Sequence, residues 1–135
     1  MKTHKIIDIH DIKSLKEYFQ KNKVLAYGNG SVYNKIKFYL EQYNLHFEDV
    51  IYTSNSSILS ISGQTYEDSL RDYSIFICSS FYEEIIEFLK SKKIKSITVP
   101  TIIIDEKSNK LFHRTLMNKK HKLFINNSTF AHSKS

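Results

Sequence analysis

Apolar residues return at helical spacing in three stretches of this chain and cluster in short blocks between them. Ile12, Leu15 and Phe19 follow Asp11 at three- and four-residue intervals, which predicts a helix over 11–21 with Asp11 as its N-cap. From Ser31 to Tyr43 the pattern is stronger. Val32, Ile36, Tyr39, Leu40 and Tyr43 share one face, Asn34, Lys35, Lys37, Glu41 and Gln42 the other, and Asn44 suits a left-handed cap. A third helix opens at Ser80-Phe81-Tyr82-Glu83, spaced as a capping box, and runs to about Lys92 over Tyr82, Ile85, Ile86 and Leu89.

The blocks between these helices read as strands. Val24–Tyr27 is apolar without alternation, as in a strand buried on both faces. Asp49–Thr53, Tyr73–Cys78 and Ser96–Val99 follow, the last closed by Pro100, the only proline. Ser54–Ser57 breaks the second of them with turn-forming side chains. Gly63–Leu70 reads as a loop and one helical turn capped by Thr65. Strands spaced by helices imply parallel pairing and right-handed crossovers. Beyond Pro100 the pattern weakens. Thr101–Ile104 and Lys110–His113 are expected to pair as a hairpin across Asp105–Asn109, and Leu123–Ile125 to add one more strand.

The chain's 135 residues suffice for one domain with a core and are too few for two ordinary ones. No apolar run approaches the roughly 20 residues that span a bilayer. The opening MKTHKIIDIHDIK has acids within its apolar stretch, unlike a secretory signal, and one cysteine forbids an internal disulfide. The expected compartment is therefore the cytoplasm. Charge divides the chain. Residues 1–106 hold 13 Lys/Arg against 14 Asp/Glu, while 107–135 hold seven Lys/Arg and no acid, giving +6 in all. The basic segment interleaves Phe112, Leu116, Leu123 and Phe124, so it is expected to be ordered to about Ile125, with Asn126–Ser135 loose. It reads as an apolar edge with solvated charges, or as a docking face for a partner chain or second copy. Nucleic acid and anionic membrane are the less favoured partners, since no recognition motif supports them.

The chemistry concentrates at Gly28-Asn29-Gly30-Ser31-Val32. Two of the chain's three glycines stand where a strand meets the strongest helix. Such a turn brings backbone close to a ligand and aims helix N–H groups at phosphate. Gly28-x-Gly30 is a partial dinucleotide fingerprint. The third glycine falls at Tyr33, a ring expected to tilt the helix or turn outward. The end of the next strand, where such sites place an acid for ribose hydroxyls, reads Thr53-Ser54-Asn55 instead, which argues against NAD and S-adenosylmethionine. Ser54 or Asn55 would have to bind a hydroxyl. Cys78, Ser79 and Ser80 stand at a third strand end. Ser79 and Ser80 read as ordinary caps or as ligands to phosphate or sugar hydroxyl. Cys78 reads as a small buried hydrophobe or, less readily, a nucleophile. The six histidines show no metal spacing, and no P-loop, nucleophile elbow or kinase signature is present.

Taken together, KVLAYGNGSVYNKIKFYL, EDVIYTSN and SGQTYEDSLRDYSIFICSSFYEEIIEFLKSKKI resemble the small Rossmann-like domain of bacterial surface-polysaccharide proteins. That domain stands at the N-terminus of sugar acyltransferases and beside sugar methyltransferases. The resemblance covers about residues 6–100. It implies a Rossmann-like α/β domain over 1–106, a small parallel sheet flanked by helices, with 107–135 as an irregular basic extension. It also implies a nucleotide or nucleotide-sugar ligand; in the acyltransferases the acyl chemistry resides in a separate β-helix, and no hexapeptide repeat of that kind follows here. The alternatives are a small nucleotide-cofactor-dependent transferase or oxidoreductase using Cys78, Ser79 or a tail histidine, and an interaction domain with an empty glycine turn.

Overall fold

The computed structural model describes residues 4–107. Its elements are β1 (Lys5–Ile7), α1 (Ile12–Lys21), β2 (Val24–Tyr27), α2 (Ser31–Glu41), β3 (Asp49–Ser54), β4 (Ser57–Ser60), a 3-10 helix (Glu67–Asp72), β5 (Ser74–Ile77), α3 (Tyr82–Ser91) and β6 (Ile97–Pro100). One six-stranded sheet takes the order β1-β6-β5-β2-β3-β4, parallel except for β3–β4.

Side chains alternate along the central strands and so divide the core into two layers. Val24 and Ala26 of β2 and Phe76 of β5 meet Leu15 and Tyr18 of α1 and Ile36 and Leu40 of α2. Leu25 and Tyr27, with Ile75 and Ile77, meet Ile86 and Leu89 of α3 and Leu70 of the 3-10 helix. Helices thus cover both faces, which is why β2, β5 and β6 are buried throughout. Connectivity explains the placement. The chain moves one way across the sheet from β1 through β2 to β3, and the opposite way from β5 to β6. With right-handed crossovers, opposite directions require opposite faces.

Local chemistry sets the helix ends. Asp11 caps α1, its carboxylate accepting from Ser14 N at 3.2 Å and Ser14 Oγ at 2.8 Å, bonds that hold its pKa below the ordinary value. Asn44 follows α2 with φ of 57°, as its position predicts. The expected caps at Thr65 and Ser80 are corrected. Tyr66 and Phe81 occupy those N-caps without side-chain cap bonds, and Ser79 Oγ instead accepts from Phe81 N at 3.1 Å. Tyr33 does not turn outward to solvent but is half-buried. It packs on the first core layer, its ring 6.0 Å from that of Phe47.

Three further expectations change. The chain begins with a strand, because Ile6 and Ile7 pair beside Val99 and Pro100. Ser54–Ser57 is a hairpin rather than a plain break. Asn55 and Ser56 both have positive φ, 51° and 64°, the two-residue turn whose twist suits antiparallel strands, and β4 returns along β3. Residues 101–107 are helical, so Thr101–Ile104 does not form the expected strand. β6 already has β5 and β1 on its two sides. The isoleucines pack on the core instead, Ile103 fully buried. Context here overrides the β-propensity of branched side chains. The compact unit closes at Ile104. Lys110–His113, Leu123–Ile125 and all but Lys107 of the basic segment lie outside the described residues.

Candidate site at the carboxyl edge of the sheet

β2 and β5 are neighbours, yet the chain leaves their carboxyl ends in opposite directions, α2 toward one face and α3 toward the other. In open α/β sheets such a divergence is where a crevice forms between the two loops and ligands are taken. The loops concerned are Gly28–Val32 and Cys78–Phe81. Two of the three sequence-named groups of residues therefore come together.

Their contact is made by backbone. Gly28 has φ of +113°, and a Cβ built on it would lie 2.7 Å from the Cys78 carbonyl oxygen and 3.6 Å from Ser79 Cβ. Cys78 N donates to Tyr27 O at 2.8 Å and Gly28 N to Ile51 O at 2.9 Å, so the turn is clamped on both sides. Gly30 differs. It is the N-cap of α2 with φ of −97°, and a Cβ there would meet nothing within 4 Å. Only Gly28 is required by the fold.

The amino end of α2 lacks a countercharge. Its first turn holds no acid and its glycine cap offers no side chain. The first helical bond runs from Asn34 N to Gly30 O, so the amides of Ser31, Val32 and Tyr33 have no intrahelical acceptor. The amino end of α3 differs, with Glu83 and Glu84 in its first turn. An anion at this crevice is therefore favoured on α2 rather than α3. Asn29, Gly30 and Ser31 are exposed, and Ser79 and Ser80 half-buried. Phe81, which the sequence reading did not select, is 64% exposed at the start of α3. An apolar ring beside polar turn residues was its only signal.

Cys78 contributes only its backbone. Its thiol is buried in the first core layer, and burial pushes its pKa far up, which removes it as a nucleophile. Thr53 and Ser54 stand apart from the other two groups. Tyr27 is level with Ile51, so these residues run two and three positions past the level of Tyr27, paired with Ile58 and Ser57. Asn55 is committed to the hairpin turn.

The sequence reading also missed Asp49, at the opposite end of β3. It is 8% exposed and accepts from Tyr66 Oη at 2.7 Å, from its neighbour Val50 N at 2.8 Å and from Ser62 Oγ. Burial opposes its charge, but these bonds outweigh it and hold the carboxyl below its usual range. Its role is to tie β3 to the loop after β4 and to the 3-10 helix.

Among the described residues no group of three or more His, Cys, Asp or Glu is arranged to hold a metal ion, and no helix is long and apolar enough to cross a membrane. No family model, no curated protein and no solved structure matches the chain.

Proposed function

We propose that the crevice between β2 and β5 binds a nucleotide or nucleotide-sugar. The phosphates rest on the amides of Ser31, Val32 and Tyr33, and Ser79 and Ser80 meet polar groups of the ligand from the facing loop. The observation that carries this reading is the uncompensated amino end of α2 behind a glycine cap, set where two neighbouring strands send their chains to opposite faces. Phe81 supplies an exposed ring on which a base can stack. In this reading the sheet is a small Rossmann-like domain, and its resemblance to domains of surface-polysaccharide proteins favours a sugar-bearing nucleotide. The module binds rather than catalyses, since Cys78 is unavailable and the crevice loops offer only hydroxyls and amides.

The missing acid at Thr53–Asn55 makes free NAD and S-adenosylmethionine weaker ligands than a nucleoside diphosphate sugar. Calorimetry with those three compounds is the test. Saturation to about 100 times Kd raises stability by roughly 2.7 kcal/mol. Micromolar affinity for NAD with none for the nucleotide-sugar would overturn the ligand class. Absence of binding by all three would overturn the site.

A further inference from the structure

A second concavity lies at the other end of the same sheet. A groove of about 820 Å³ opens at the amino edge, where β5, β6 and β1 begin and α1 and α3 end. Its volume falls in the range of small-molecule sites. His4, Lys5, Lys90, Lys93 and Lys95 line it, and no acid does. Acids nearby, such as Asp8, Asp11 and Glu17, line a neighbouring groove instead. Lys90 meets an acid, Glu87 at 3.7 Å, in an exposed pair that leaves most of its charge unneutralised. The carboxyl end of α3 accounts for lysines at 90 and 93. It does not account for Lys5, which precedes α1 and sits 5.7 Å from the centre of the Tyr18 ring, nor for His4 or Lys95.

The floor is built of hydroxyls. Tyr18, Ser74 and Thr98 all line the groove and are 4%, 3% and 2% exposed. Tyr18 Oη lies 2.6 Å from Ser74 Oγ, and Thr98 lines the same floor. That contact uses one of the three hydroxyl protons. Among the described residues, buried O–H donors therefore remain at the base of a cationic groove, and burial makes an unmet donor costly. The wall repels itself and the floor holds a spare donor; a multiply charged anion answers both.

We propose that this groove binds a small phosphate-bearing molecule with several negative charges, held by the lysines and by a hydroxyl proton from the floor. The site is separate from the carboxyl-edge crevice and does not depend on it. The buried hydroxyl floor favours a small ligand over a nucleic acid, whose bases would need exposed rings to stack on, whereas the Tyr18 ring here is 4% exposed.

Inorganic tripolyphosphate is the probe, titrated into the whole chain by calorimetry and by amide chemical shifts. Lys93→Gln/Lys95→Gln is the principal variant. Both side chains are exposed, so the fold is kept, and relief of repulsion should leave the probe-free melting temperature equal or higher. Wild type should bind with shifts at Ser74, Ser96 and Thr98, and the double variant should bind at least tenfold more weakly. Gly30→Val should bind tripolyphosphate in this groove as wild type does, which separates this site from the crevice. Equal affinity in wild type and the double variant, absence of binding, or shifts confined to 107–135 would each overturn the proposal. So would groove shifts with a single-stranded RNA ten-mer but none with tripolyphosphate, which would make this a nucleic-acid face.

Discussion

A Cβ on Gly28 would come within 2.7 Å of the carbonyl oxygen of Cys78, so the first two loops of the crevice touch through backbone alone. The contact is held on both sides, because Cys78 N is bonded to Tyr27 O and Gly28 N to Ile51 O directly after their strands. Gly28→Ala combines this clash with a φ of +113° and should cost about 1–3 kcal/mol or more. At this size each kcal/mol lowers the melting temperature by roughly 3–6 °C. A melting curve within 2 °C of wild type would refute the requirement.

Gly30→Val asks the complementary question. Nothing crowds a Cβ there and φ is ordinary, so the variant should fold with a loss below about 1 kcal/mol. Its branched side chain would stand over the amides of α2. Stabilisation by a nucleoside diphosphate sugar should vanish while the melting temperature without ligand barely moves. A variant that binds as wild type would remove the phosphate from α2.

The different fates of these two glycines show what was legible in the sequence. Their pairing before a strong amphipathic run marked the turn, and opposed apolar blocks gave four of the six strands. Three helices were readable because Leu15, Ile36, Leu40 and Leu89 repeat at the helical period. β1 and β4 were not readable: each is an edge strand with only one buried residue, Ile7 and Ser60, and so carries almost no hydrophobic signal. The crevice partners Gly28 and Ser79 were both visible as strand ends, but their adjacency depends on strand order, which no local pattern encodes. The amino-edge groove was invisible for the same reason, since Lys5, Tyr18, Ser74 and Lys95 meet only in the folded sheet.

Asp49→Asn should destabilise the unit by about 1.5–3 kcal/mol at neutral pH, as bonds to a charged acceptor are lost from Tyr66 and Ser62. The sign with pH follows from the lowered pKa. The folded carboxyl titrates below the unfolded value of about 3.9, so its stabilisation is complete above that value and is lost as pH falls through the folded one. Denaturant midpoints between pH 6 and pH 2 should show wild type and variant converging only below about pH 4. A constant gap across that range would show that charge is not involved.

Cys78 should resist iodoacetamide at pH 8 in the native protein and react fully in denaturant, because the thiol is both buried and held protonated. Cys78→Ala should retain nucleotide-sugar affinity even if it melts earlier. Rapid native labelling would reopen the reading of this thiol as a nucleophile.

Truncation after Pro100 should lower the melting temperature substantially, since Ile103 is buried and Ile104 packs on the second core layer. Burying one such side chain is worth about 1.5–3 kcal/mol. Truncation after residue 107 keeps both isoleucines. Equal melting for the two truncations would show that residues 101–107 add nothing to the core.

Three of the four central strands hold the stretches Val-Leu-Ala-Tyr, Ser-Ile-Phe-Ile and Ile-Thr-Val-Pro with every residue hidden, while the sheet ends in strands of three and four residues. Such brief borders give another chain little to pair with, so the native molecule is guarded against edge-to-edge growth. The guard lies wholly in the fold. Once heated open, the chain displays short uncharged β-prone segments with nothing to shield them. Thermal unfolding at high protein concentration should therefore end in aggregate rather than return on cooling, and the practical lifetime of the protein is set by how fast it opens.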